Sequence, residues 1–306
     1  MNKPLLILLV GATAVGKTEL SLQLAESLNA EIISADSRLL YRGMDIGTAK
    51  PTPAERARVP HHLIDVANPN ETWSLTQYQH AAAQAICQID ARGRIPLLVG
   101  GTGQYVRALT EGWQPPAQQP HPRLRAALEA WAAQIGAQEL HRRLSLLDPQ
   151  AAAAIQWQNL RRTVRALEVI FSTGKRFSEQ RRRTESPYRL LTIGLTRSRP
   201  ELYARIDARI QTMLATGLID EVRGLLAHGY GRDLPAMSAI GYREIAAHLA
   251  GEITLEEATT QMKRLTRQFV RRQANWFSPA DPQIHWFALP NDQILSQITQ
   301  LILRAA

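Results

Sequence analysis

Cysteine is almost missing from this chain. Its 306 residues contain one, Cys87. A single cysteine excludes an internal disulfide and any cysteine-based metal cluster, and it fits a reducing compartment. Cys87 lies in an alanine-rich helical stretch and is expected to be a small core residue. No apolar run is long enough to span a bilayer. The opening Met-Asn-Lys-Pro leads straight into a strand pattern and leaves no room for a secretory signal, so a cytoplasmic protein away from membranes is expected. There is no internal repeat and no low-complexity tract. Acidic residues are also short, 27 against 36 Lys and Arg, for a net charge of +9 and a pI near 10.1. That balance points to an acidic partner, most often nucleic acid; an unengaged basic surface is the alternative. With 45% hydrophobic and 21% charged residues the chain is globular, with one large domain or two ordinary ones.

What is present begins at Gly11. Residues 11–18 read Gly11, Ala12, Thr13, Ala14, Val15, Gly16, Lys17, Thr18 and fit the spacing G-x-x-x-x-G-K-[ST]. An apolar strand pattern precedes them at 5–10, and a helical pattern with Leu20, Leu24 and Leu28 follows. Strand, glycine turn and helix together make a phosphate cradle. The glycines admit close backbone approach, the helix start adds partial positive charge, Lys17 is a point cation, and Thr18 offers a hydroxyl to magnesium. On the motif alone, ATP is the usual ligand.

A second strand pattern over 31–35 ends at Asp36-Ser37. Ligands of open α/β sheets sit at strand carboxyl ends, so Asp36 belongs near the loop if the two strands are neighbours; a turn or capping role is the alternative. A loop with two glycines follows over 38–51. His61 and His62 are adjacent in a short strand, point to opposite faces, and suit structural roles better than a shared metal. A helix capped by Ser74 runs to about Arg92. The strand at 95–99 ends in Gly100-Gly101-Thr102, which puts Thr102 on the same crevice rim. No acid stands at that strand end, where nucleotide hydrolases hold magnesium with an aspartate.

Residues 113–122 hold four prolines and three glutamines and read as a linker. From 122 to about 186 the pattern is all-helical. Residues 116–186 carry twelve Lys/Arg and six Asp/Glu, a net +6 of the chain's +9. Arg161 and Arg165 share a helix face, and Arg181-Arg182-Arg183 form a run, so this piece suits phosphate-backbone contact. A strand at 188–196 returns to the sheet. In the helix after it, Arg205 and Arg209 lie one turn apart, placed to reach over the phosphate loop or to pair with Asp207. A long helix over 254–277 carries Lys263, Arg267 and Arg271 as a basic stripe open to solvent or a polyanion, opposite an apolar face with Met262, Leu265, Phe269 and Trp276. Trp286-Phe287 mark an edge strand, and an amphipathic helix ends the chain.

The residues thus describe an α/β fold: a P-loop domain with a doubly wound, mostly parallel sheet flanked by helices, and an all-helical insertion domain. Three functions fit. A small-molecule kinase would use the loop, Asp36 as base and lid arginines. A group transferase acting on nucleic acid would hold a diphosphate as leaving group. A nucleotide-gated RNA-binding protein would catalyse nothing.

From Asp36-Ser37 through Gly43-Met44-Asp45-Ile46-Gly47-Thr48-Ala49-Lys50-Pro51 the chain resembles the tRNA dimethylallyltransferases, or isopentenyl-tRNA transferases. The resemblance extends to Gly11–Thr18, Pro60-His61-His62-Leu63-Ile64-Asp65, Gly100-Gly101-Thr102-Gly103, Asn159 with Arg161-Arg162, Arg165-Ala166-Leu167-Glu168-Val169, Gly241-Tyr242-Arg243-Glu244, and Arg271-Arg272-Gln273 with Trp276-Phe277. It implies transfer of a dimethylallyl group from dimethylallyl diphosphate to N6 of the adenosine 3′-adjacent to the anticodon, in tRNAs reading codons that begin with U. It implies magnesium, a loop that grips the donor's diphosphate, and the tRNA anticodon stem-loop as partner of a monomeric enzyme. Catalysis then falls to Asp36, Thr102 and an arginine on the diphosphate, either Arg205 or Arg209, and tRNA binding to Asp36, Ser37, Arg38, Leu39, Leu40, Thr102, Arg125, Asn159, Leu160, Arg161, Arg162, Thr163, Ala239, Ile240, Gly241, Tyr242, Arg243 and Glu244. Residues 1–115 with 187–306 form the core on this view, and 116–186 the tRNA-binding insertion. Leu39 stands where the family usually has glutamine, Ala12 where proline is common, and Gln104 where leucine is common.

Overall fold

The computed structural model of the chain describes residues 3–116, 121–180 and 182–305. They form two compact units, one comprising residues up to Thr110 together with those from Ser186 onward, the other Glu111–Glu185. In chain order the first unit opens with β1 (Leu5–Gly11), α1 (Lys17–Leu28), β2 (Ala30–Ser34), α2 (Pro53–Arg58), β3 (His61–His62), α3 (Leu75–Ala91), β4 (Ile95–Gly100) and α4 (Gly103–Thr110). The second unit holds β5 (Trp113–Gln114), α5 (Pro122–Ile135), α6 (Ala137–Leu147), α7 (Pro149–Ala154), α8 (Leu160–Thr173) and β6 (Arg182–Arg183). The chain then returns through β7 (Arg189–Thr196), α9 (Arg199–Ala215), α10 (Leu218–Ala227), α11 (Tyr242–Leu249), α12 (Leu255–Ala274), β8 (Ile284–Ala288) and α13 (Ile294–Ala305).

Six strands form one parallel sheet in the order β3-β2-β4-β1-β7-β8. The run Leu6–Val10 is continuous apolar sequence because β1 is central and covered on both faces. Ile7 and Leu9 pack with Ile32, Leu97 and Ile193 on one side. Leu6, Leu8 and Val10 pack with Ile33, Leu98 and the α3–α4 layer on the other. Each such side chain contributes about 1.5–3 kcal/mol by leaving water. The two strands that end at the phosphate loop and at Asp36 are not neighbours. β4 lies between them, so the crevice is built from three strand ends.

Four further expectations change. Cys87 is exposed: α3 buries Tyr78, Ala82, Ala85, Ile86 and Ile89, and position 87 lies about 100° around the helix from Ile86. Alanines on both faces of α3 hide that orientation in the sequence. The second unit is not all-helical, and the linker is not wholly irregular, since Trp113 and Gln114 pair antiparallel with Arg183 and Arg182. The rest of the linker's proline-glutamine stretch, 117–120, and Arg181 lie outside the described residues. The basic stripe of α12 is not open to solvent throughout. Arg267 donates to Asp207 of α9 at 2.8 Å and stacks over Tyr203 at 5.0 Å, and Lys263 lies 3.9 Å from the same carboxylate.

In the second unit, Leu128, Leu140, Leu144, Val164 and Leu167 form the core. Glu168 is buried beside it and accepts from Arg125 (2.8 Å), Arg165 (2.9 Å) and the His121 N–H (2.6 Å). Burial pushes the Glu168 carboxyl up, and these three donors more than reverse it, so it stays ionised. Two cations of the insertion are therefore tied to an internal acid. Arg161 and Arg162 remain on the exposed start of α8, where Asn159 caps the helix by accepting from the Arg162 N–H.

Candidate active site

The phosphate loop turns at Gly16, whose φ of 118° is open to glycine alone without strain, and α1 starts at the next residue. Lys17 Nζ donates to the carbonyls of Gly11 and Ala12, both at 2.9 Å. Arg205 Nε donates to Ala14 O at 2.8 Å, and Arg197 Nε donates to Val15 O at 2.9 Å. The carbonyls of the loop thus face cations, which leaves the helix start directed at the crevice. Arg209 reaches across to Thr48 O at 3.4 Å. Asp207, the competing partner for these arginines, is engaged by α12 instead.

Asp36 sits at the turn after β2. Its Oδ1 accepts from the Arg38 N–H at 2.9 Å, so it has the turn contact as well as a place on the cavity wall. Thr102 stands beside this corner, its Oγ1 accepting from the Ser37 N–H at 3.2 Å. Thr102 N in turn donates to Ala35 O at 3.1 Å, which ties the ends of β2 and β4 together. Thr13, Gly16, Lys17, Thr18, Asp36, Leu39, Thr48, Ile64, Arg205 and Arg209 line a single cavity of about 590 Å³.

Burial lowers the Lys17 ammonium to about 8, Asp36 partly opposes this, and Arg209 adds to it. Burial also lowers Arg209, against the pull of Asp36. An anion in the cradle favours charged Lys17. Inorganic pyrophosphate is therefore expected to bind more weakly as the pH rises above about 8, with proton uptake on binding near that pH. Titration calorimetry in two buffers of different ionisation enthalpy measures the uptake, with Lys17→Met as the control for the ligand's own titration. Equal uptake in both proteins refutes the expectation.

Thr18 is exposed at the mouth of the cradle, and no group of three or more His, Cys, Asp or Glu side chains forms a metal cage among the described residues. One hydroxyl beside a phosphate cradle suits magnesium, which keeps several waters and takes its other ligands from substrate phosphates. His61 and His62 take separate partners: His61 Nδ1 donates to Val59 O at 2.8 Å, and His62 Nε2 donates to Glu31 at 2.6 Å.

The positions singled out for tRNA divide by exposure. Arg243, Asn159, Arg161 and Arg162 are exposed; Ser37, Arg38, Leu39, Leu160 and Ile240 are half-buried. Leu40, Thr163, Ala239, Tyr242 and Glu244 are buried. Arg125 is committed to Glu168. The Tyr242 hydroxyl donates to Glu221 at 2.6 Å. Glu221 also accepts from the N–H groups of Asp45, Ile46 and Gly47 at 3.0, 2.7 and 3.2 Å, holding the loop that carries Thr48. Glu244 accepts from the Gly241 N–H at 2.8 Å and from Arg243 Nε at 2.9 Å.

Sequence reasoning assigned no role to Arg197, Glu221 or Gln273. Arg197 and Glu221 give no local signal. Gln273 does: it stands four residues after Phe269 and three before Trp276, a polar residue in an apolar register.

A parallel sheet whose phosphate loop, Asp36 corner and arginine helix share one cavity defines a P-loop protein with a polyphosphate site. A family model described as IPP transferase matches residues 39–280, and one described as isopentenyl transferase matches residues 4–65. A tRNA dimethylallyltransferase of Roseiflexus sp. (strain RS-1) is 58% identical over 272 residues, 89% of each chain. The crystal structure of the tRNA isopentenylpyrophosphate transferase of Bacillus halodurans superposes with a TM-score of 0.74 at 44% identity, covering 99% of this chain and 97% of that one. A eukaryotic dimethylallyltransferase acting on tRNA gives a TM-score of 0.77 at 26% identity, over 93% of this chain and 74% of that one. The chain belongs to the IPP transferase family. That membership selects the group transferase over the kinase and the non-enzymatic binder.

Proposed function

We propose that the protein transfers the dimethylallyl group of dimethylallyl diphosphate to N6 of the adenosine 3′-adjacent to the anticodon, in tRNAs reading codons that begin with U. The convergence of Asp36 with the phosphate cradle on one cavity carries this reading. N6 of adenine is conjugated into its ring and is a poor nucleophile. It attacks C1 of the donor while the C1–O bond breaks, its proton passes to the Asp36 carboxylate, and diphosphate departs. Lys17, Arg205, Arg209 and the α1 start stabilise the charge that develops on the leaving oxygen. Thr18 and the donor's phosphates would hold magnesium, which would supply further charge neutralisation when bound. Thr102 keeps the Asp36-Ser37 corner in place.

An adenine within an anticodon stem-loop has to leave its stack to reach such a cavity. Ser37, Arg38, Leu39, Ile240 and Arg243 are groups of the first unit exposed enough to hold it. Asn159, Arg161 and Arg162 supply phosphate contacts from the second. We expect a monomer in the cytoplasm; no described helix is long and apolar enough to cross a membrane.

Incubating labelled dimethylallyl diphosphate with bulk tRNA, with and without magnesium, then analysing the nucleosides, tests the reaction. N6-isopentenyladenosine formed only with magnesium is the expected product, and donor-independent ATP turnover would overturn the reading. Removing both charges, Arg161→Ala with Arg162→Ala, should weaken tRNA binding and reduce the slope of log affinity against log salt by about 1–2. An unchanged slope would show that the exposed α8 start makes no phosphate contacts.

A further inference from the structure

Gln273 is buried near the C-terminal end of α12 although its side chain is an amide. Its two ends go to different halves of the site. Oε1 accepts from the Thr13 N–H, inside the phosphate loop, at 2.8 Å. Nε2 donates to the Gly101 carbonyl, in the turn after β4, at 3.2 Å. Thr102 follows directly, and its hydroxyl oxygen holds the Ser37 N–H next to Asp36. One side chain thus spans from the donor cradle to the corner that carries the base.

The fit around this bridge is close. A Cβ added to Gly101 would lie 2.2 Å from Gln273 Nε2, and one added to Gly103 would lie 2.1 Å from Trp276. Arg107 stacks over the Trp276 ring at 5.4 Å and donates to the Trp276 carbonyl at 3.0 Å. The end of α12 is therefore clamped against the Gly101–Gly103 turn. An amide is the group this bridge needs. A carboxylate cannot donate to Gly101 O, and an ammonium cannot accept from Thr13 N–H.

We propose that Gln273 is a positioning residue that fixes the separation of the diphosphate cradle from the Asp36–Thr102 corner. It thereby sets the distance between the attacking amine and the allylic carbon. The proposal rests on the transfer reaction put forward above. Neither end of the amide is assigned to substrate, so its loss leaves the substrate contacts in place and spoils their relative placement. A misplacement near 1 Å costs about 10²-fold in rate.

The test compares wild type, Gln273→Met and Gln273→Glu under single-turnover and steady-state conditions with dimethylallyl diphosphate and tRNA. Methionine keeps the length and makes neither bond; glutamate keeps the acceptor and, when ionised, loses the donor. The transfer rate should fall about 10²-fold in Gln273→Met, with both KM values within about threefold of wild type. Gln273→Glu should lose rate in the same direction, and it decides the matter if thermal melting shows that the methionine variant does not fold. Wild-type rates in a folded variant, or a loss confined to KM, overturn the positioning role while the reaction stands. Absence of transfer by wild type overturns the reaction, and this role with it.

Discussion

Asp36→Asn is expected to lower kcat for dimethylallyl transfer by about 10³-fold, within the usual range for removing a general base, while tRNA still binds. Asparagine is the informative replacement because its side-chain oxygen still accepts from the Arg38 N–H, so the turn survives. What disappears is the proton acceptor and one negative charge. That charge holds Lys17 up against burial, so in Asp36→Asn the pH above which pyrophosphate affinity falls moves below the wild-type value. Rapid-quench transfer assays and filter binding of tRNA measure the two effects separately. A variant with wild-type transfer would remove Asp36 from the chemistry.

Lys17→Met is expected to cost about 10²–10³-fold in kcat and to raise the KM for the donor. The lysine is the loop's point cation, and its charge is needed most when the leaving oxygen becomes negative. A loss seen in KM alone would mean that Lys17 binds donor and transition state equally. The ammonium donates to the carbonyls of Gly11 and Ala12. Methionine frees those carbonyls, so the variant needs a thermal melt beside the kinetics to confirm that the loop still folds.

The spacing Gly11–Thr18 located the cradle because the motif is local: strand, turn and helix start follow one another in the chain. Asp36 was legible as a strand-end residue, but its route to the cradle was not. Periodicity reports that a segment is a strand and carries nothing on which strand lies beside it, so the intervening β4 came only from the sheet order. Arg205 and Arg209 were legible as one face of a helix, while the choice between loop and Asp207 depended on α12, sixty residues away at Arg267. The basic excess of the insertion was visible by counting. Counting could not show that Arg125 and Arg165 neutralise Glu168, because an internal acid and a surface acid look alike in sequence. Tyr242 and Glu244 carried the family resemblance, and the sequence could not show that both are buried, with the Tyr242 hydroxyl on the Glu221 carboxylate that holds the loop at 45–47.

The exposure of Cys87 has a practical meaning for how the protein is handled. A lone accessible thiol can form a disulfide only with another molecule. Under air, two copies can become covalently joined through α3, and such a species would pass for a native dimer on a sizing column. Sizing therefore needs a reductant before a single-copy enzyme can be judged. The same thiol accepts one maleimide dye per chain, a single labelling position that needs no engineering.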